Sequence, residues 1–147
     1  MNVVMIGAGY VGLVSGACFA EFGAEVTCVD KQEDRVDALR KGRIPIYEPG
    51  LEALVQRNAQ SGRLRFSTDL ASAVADADLV FIAVGTPTRR GDGHADLKYV
   101  YAAAEEVARN LRGYTVIVDK STVPVGTARE VARVIRKTNP DVDFDVA

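Results

Sequence analysis

The stretch Val3-Val4-Met5-Ile6-Gly7-Ala8-Gly9-Tyr10-Val11-Gly12-Leu13 decides how this chain is read. Four apolar residues in a row predict a short buried strand, and the mostly apolar run from Leu13 to Phe22 predicts a helix. Between them stands Gly-x-Gly-x-x-Gly, at the exit of a strand into a helix, where it has a chemical meaning. Gly7 permits the tight turn. Gly9 leaves the backbone bare, so that a pyrophosphate can approach it, and Gly12 lets the helix lie close on the strand. The start of the helix offers unpaired N–H groups and a partial positive charge to an anion.

Outward from this turn, a second strand is predicted over Glu25–Val29, and it ends in Asp30. A carboxylate about 20 residues beyond the glycines is placed to accept hydrogen bonds from a ribose diol. An ionised Asp30 repels a 2′-phosphate, which favours NAD over NADP, although Lys31 and Arg35 bring cations nearby. FAD binds similar turns, and the acid alone does not separate the two. Arg35 falls in the first turn of a helix predicted over Glu33–Arg40, where the helix dipole favours anions, so the dipole does not account for it. Two readings stand: it reaches the adenosine half of a ligand, or it is a solvated surface arginine.

The rest of the chain repeats the alternation. Further strands are predicted over residues 64–67, 78–84, 115–118 and 143–146, and further helices over 51–60, 97–111 and 127–137. A brief helix capped by Asp69 or Thr68 runs through Ala75, and Asp96 is expected to cap the helix at 97. Gly16, inside the first helix, points to close packing on the sheet, and Gly23 to that helix's end. Pro45 and Pro49 exclude regular structure over residues 44–50, and the glycine- and charge-rich residues 89–96 read as a flexible loop. Strands alternating with helices imply an α/β fold: a doubly wound, mostly parallel six-stranded sheet in the order 3-2-1-4-5-6, with helices on both faces. Ligands in such sheets bind at the carboxyl ends of the strands. There the topology should gather three segments: the glycine turn, Gly85–Thr88 and Ser121–Pro124.

Composition sets the limits. At 147 residues the chain is one domain, and 48% hydrophobic with 26% charged residues suits a globular fold with one sizeable core. A net charge of −2, with the signs interspersed, gives no bulk attraction to nucleic acid or an anionic membrane. No apolar run is long enough to span a bilayer, and Met1-Asn2 leads into a strand without a basic signal region. Cys18 and Cys28 both have apolar neighbours and read as small core residues in a reducing cytoplasm. The one histidine, His94, has no Cys or His neighbours at ligand spacing, so no metal site is expected.

Several motifs together carry a family resemblance. Gly7–Gly12 with Tyr10-Val11, Pro45-x-x-Glu48-Pro49-Gly50-Leu51, Val84-Gly85-Thr86-Pro87, Ala95-Asp96-Leu97 and Lys120-Ser121-Thr122-Val123-Pro124-Val125-Gly126-Thr127 resemble the UDP-glucose 6-dehydrogenases, within the UDP-glucose/GDP-mannose dehydrogenase family. The resemblance implies an NAD-binding domain of an enzyme that oxidises a sugar-nucleotide C6 alcohol to a carboxylate with two NAD. It implies cofactor contacts at the glycine turn and Tyr10, and places Val11, Asp30 and Arg35 on the adenosine side, Arg35 where the family usually has lysine. Thr86 would lie near the nicotinamide half. Thr122 would border the hydride-transfer site, helping to order a water. The plain alternative for Thr122 is a backbone hydrogen bond ending the strand, and for Thr86 a turn residue before Pro87. The chain ends at Ala147, before the Pro-Glu-Phe-Leu segment and the catalytic cysteine, lysine and asparagine of the family. The expectation is therefore a cofactor domain that binds NAD without turnover, from a full-length protein that acts on UDP-glucose and forms homodimers. The alternatives are a GDP-mannose or UDP-N-acetylhexosamine dehydrogenase, or a free-standing NAD-binding sensor module.

Overall fold

Val3, Val4, Met5 and Ile6 are all buried because both faces of their strand are covered. In the computed structural model, which describes residues 1–147 except 90, 92 and 93, this strand, β1 (Asn2–Ile6), lies at the centre of a six-stranded sheet. The others are β2 (Glu25–Val29), β3 (Leu64–Ser67), β4 (Leu79–Ile82), β5 (Thr115–Asp119) and β6 (Phe144–Val146), in the order β3-β2-β1-β4-β5-β6. Every pairing is parallel, as predicted. Chain connections leave β1 toward β2 on one side and, later, toward β4 on the other. Right-handed crossovers then place the helices of the two halves on opposite faces.

The period-two alternation of β1 separates two cores. Val3 and Met5 pack with α1 (Tyr10–Glu21), α2 (Glu33–Arg40) and α3 (Leu51–Gln60). Val4 and Ile6 pack with α4 (Leu70–Val74), α5 (Lys98–Asn110) and α6 (Thr127–Thr138). Gly16 earns its place in α1 by proximity: a Cβ there would sit 2.8 Å from Cys28 Sγ and 3.4 Å from Met5 Cγ. Gly23 ends α1 with φ +99°, its N–H bonded to the Ala20 carbonyl. Where β5 enters the sheet, Thr115 Oγ1 donates to the Ala77 carbonyl at 2.9 Å and so satisfies a buried hydroxyl.

Some expectations need correction. Cys28 is buried, but Cys18 is exposed. The buried face of α1 is Gly12, Leu13, Gly16, Ala17 and Ala20, and Cys18 falls off that stripe. β4 stops at Ile82, short of the apolar run, where its pairing with β1 ends at Ile6 and with β5 at Asp119; beyond it the Val84 carbonyl accepts from Ser121 Oγ at 2.9 Å. Asp96 lies one residue outside the cap of α5, which is Leu97. Its Oδ1 still accepts the Lys98 N–H at 3.1 Å. Asp69 does cap α4, accepting the Ser72 N–H at 3.0 Å. The loop expected to be flexible over residues 89–96 includes 90, 92 and 93, which lie outside the described residues. On its flanks Thr88 pairs with Ala95, and the Arg89 N–H donates to the His94 carbonyl at 2.7 Å.

Candidate functional site: a crevice at the carboxyl edge of the sheet

The site begins where β1 turns into α1. Gly7 has φ +102°, a region that only glycine enters cheaply, and a Cβ there would lie 2.6 Å from the Ala83 carbonyl oxygen. Its N–H donates to the Val29 carbonyl at 2.7 Å, which ties the turn to the end of β2. A Cβ on Gly12 would lie 1.8 Å from the Gly7 carbonyl oxygen, so the third glycine is required by the turn itself as much as by the sheet. Gly9 differs from both. A Cβ there would meet nothing within 4 Å, so no protein neighbour explains why the position is bare.

Gly9 is the N-cap of α1. No side chain caps that end, and no acid stands in the first turn. The helix thus presents its first N–H groups and its positive pole uncompensated. Beside it, Asp30 is nearly buried, at 9% exposure, and holds two loops together. Its Oδ2 accepts the Ala8 N–H at 2.9 Å, and its Oδ1 accepts the Gln32 N–H at 2.9 Å. Arg35 Nη1 donates to the same Oδ2 at 2.9 Å. Arg35 is therefore not a merely solvated arginine. Neither of its sequence readings anticipated a partner five residues back across a turn.

A crevice of about 500 Å³ opens between the two halves of the sheet. Gly7, Gly9, Asp30 and Arg35 line one side, and Gly85 and Tyr99 line the other. Of the three segments expected at this edge, the glycine turn and Gly85–Thr88 contribute lining residues, whereas Ser121–Pro124 does not line the crevice and is instead hydrogen-bonded to the second segment. Thr86 lies between Gly85 and Pro87, both lining residues, and its Oγ1 donates to the Thr122 carbonyl at 3.0 Å. Ser121 Oγ contacts the Ile82 and Val84 carbonyls at 3.2 and 2.9 Å, so the exits of β4 and β5 are stitched side by side. The side chains of Tyr10 and Val11 are exposed at the start of α1 and do not line the crevice. Tyr10 Oη donates to Glu48 Oε2 at 2.7 Å, which links the glycine turn to the proline-rich loop. That hydrogen bond first, and the carboxylate's charge second, raise the phenol's pKa.

One neighbouring group escaped sequence reasoning. Asp119, at the end of β5, accepts the Ser121 N–H through Oδ1 at 3.1 Å, while its buried Oδ2 has no donor among the described residues. Burial raises its pKa, and the Ser121 hydrogen bond offsets this only in part. An acid closing a buried strand, as Asp30 also does, was the available signal. Among the described residues there is no group of His, Cys, Asp or Glu that could hold a metal ion, and no helix is long and apolar enough to cross a membrane.

These residues fit a dinucleotide. The bare Gly9 and uncapped helix suit a diphosphate, and the carboxylate of Asp30 suits a ribose. The comparison with known proteins agrees: residues 1–147 match the model of the UDP-glucose/GDP-mannose dehydrogenase family, NAD binding domain. The chain belongs to this family. Within it, the chain is 67% identical to the UDP-glucose 6-dehydrogenase of Rhizobium meliloti, over 99% of this chain and 33% of that protein. A UDP-glucose dehydrogenase of Pyrobaculum islandicum superposes with a TM-score of 0.93 at 45% identity, over 99% of this chain and 34% of that one. The GDP-mannose dehydrogenase of Pseudomonas aeruginosa, solved as a ternary complex, also gives 0.93, at 38% identity over 99% of this chain and 35% of its own. The chain thus spans about a third of the length of these dehydrogenase-family relatives.

Proposed function

We propose that this chain is the coenzyme-binding domain of a UDP-glucose 6-dehydrogenase, whose full length oxidises UDP-glucose to UDP-glucuronate with two NAD. The 67% identity to the Rhizobium meliloti enzyme carries the choice of substrate. A GDP-mannose dehydrogenase remains the alternative on the strength of the 38% identical structural neighbour. NAD, when bound, supplies the acceptor for hydride leaving C6 of the sugar. In this reading the N–H groups at the start of α1 neutralise the diphosphate, Asp30 accepts from the adenosine ribose, and Tyr10 and Val11 contribute backbone beside them. Thr86 and Thr122, joined by their hydrogen bond, border the nicotinamide half. In this reading residues 1–147 supply the coenzyme half of the site and by themselves bind NAD without turnover. A reducing cytoplasm, with Cys18 and Cys28 as free thiols, fits the same reading.

Calorimetric titration with NADH tests it. Binding is expected, with Asp30→Ala weakening it by about 1–3 kcal/mol through lost hydrogen bonds to a charged acceptor. Absence of heat at millimolar NADH, or unchanged affinity in the variant, would refute the assignment of the site.

A further inference from the structure

The start of α1 is supported unevenly. On the side of β2 the turn is tied twice, by the Gly7 N–H to the Val29 carbonyl and by the Ala8 N–H to Asp30 Oδ2. At Gly9 there is no lateral support: no side chain caps the helix, and a Cβ there would meet nothing within 4 Å. On the other side a single side chain reaches out. Tyr10, the first residue of α1, donates through Oη to Glu48 Oε2 at 2.7 Å. The far end of that bond is anchored. The Glu48 carbonyl accepts the Leu51 N–H at 3.1 Å, and Gly50 between them has φ +82° and ψ −12°. With Pro49 second and Gly50 third, this is a type II turn, and it leads into α3. Ile44 and Ile46, just before it, pack on the core that α1 and α3 share. One hydrogen bond thus ties the first turn of α1 to the first turn of α3.

Resting on the dinucleotide reading above, we propose that Glu48 is a positioning residue: through Tyr10 Oη it holds the unpaired N–H groups at the start of α1 in place for the diphosphate. Its charge does not serve this role, since a carboxylate repels a diphosphate. What it contributes is an acceptor on a rigid turn, at the one side of the helix start that has no other tie. With the acceptor removed, the start of α1 is in place for only a fraction of the time, and the apparent affinity falls by that fraction. The strength of one hydrogen bond limits the loss to about tenfold.

The test compares the native chain, Glu48→Gln and Glu48→Met, each with and without Tyr10→Phe, by calorimetric titration with NADH. Glutamine and methionine remove the same charge and match in length, but only glutamine accepts a hydrogen bond from the phenol. The bond lies at the surface, so the variants leave the core intact, and thermal unfolding checks that each is folded. Glu48→Gln should bind NADH at least as tightly as the native chain, because it keeps the acceptor and removes a charge. Glu48→Met should bind about three- to tenfold more weakly than Glu48→Gln, and Tyr10→Phe should weaken the native chain by a similar factor. In the Tyr10→Phe background the difference between Glu48→Gln and Glu48→Met should vanish. Equal affinities for Glu48→Gln and Glu48→Met with Tyr10 present, or a difference that survives Tyr10→Phe, would overturn the proposal. So would a difference between them in Tm without one in affinity, which is the mark of a bond that only stabilises the fold. In each of these cases NADH binding by the native chain keeps the parent reading intact. No NADH binding by the native chain would overturn both.

Discussion

Replacing Gly12 by alanine sets two well-characterised effects against each other. Gly12 lies inside α1, where alanine is favoured over glycine by about 1 kcal/mol. Propensity alone therefore predicts a stabler protein, with a melting temperature raised by about 2–4 °C for a chain of this size. The structure predicts the opposite. The new Cβ would lie 1.8 Å from the Gly7 carbonyl oxygen and 3.0 Å from its carbon, where ordinary contact begins at 3.4 Å. Both atoms are backbone of a turn that is itself pinned by the Gly7 N–H to Val29, so no rotamer change relieves the clash. The start of α1 must lift off the turn, at a cost of about 3 kcal/mol, the upper part of the range for overpacking. The net loss is about 2 kcal/mol, a fall of about 4–8 °C in Tm by calorimetry. Dinucleotide binding should fall with it, because the displaced N–H groups are those assigned to the diphosphate. Gly16→Ala is the internal control. There the obstacle is a side-chain sulfur at 2.8 Å, so Cys28→Ala should rescue much of the loss in a double-mutant cycle. A Gly12→Ala protein with raised Tm and full affinity would refute the steric argument.

The two thiols should behave oppositely toward a thiol reagent. Burial pushes Cys28 up to about 12, so the native protein should show one fast-reacting cysteine, Cys18, and a second only on unfolding; two fast thiols would contradict the packing of α1 on β2. Asp119 should make stability depend on pH. Burial raises its folded pKa above the usual carboxylate range, so the native state holds the proton longer than the unfolded chain, and ionising it costs stability as pH rises. Asp119→Asn should therefore gain on the native sequence as pH rises through and above the usual carboxylate range in denaturant melts, and a difference that stays constant with pH would show that its carboxyl is not desolvated.

The neighbourhood of Asp30 shows where reading the sequence runs out. Its spacing from the glycines marked it as the ribose acid, and β2 does deliver it to the crevice. That it also accepts the Ala8 N–H, 22 residues earlier, and Arg35 was not legible, because those contacts depend on how two turns sit against each other. Cys18 is a similar case. α1 is apolar on nearly every side, so its composition could not say which face meets the sheet. Thr86 and Thr122 were placed at the same edge by topology, but the bond between the Thr86 hydroxyl and the Thr122 carbonyl depends on how the exits of β4 and β5 sit side by side.

Residues close together in the chain, acting through backbone geometry and hydrophobic periodicity, were enough to determine the strands, the helices, the parallel 3-2-1-4-5-6 order and the strand-turn-helix proposed for the dinucleotide. Those signals are local, and the handedness of crossovers turns them into topology. The tertiary structure alone decided which polar groups share a carboxylate, which cysteine faces solvent, and that Asp119 is left with a desolvated oxygen. Such outcomes depend on distances of a few tenths of an ångström between segments far apart in sequence, and no pattern along one segment encodes them.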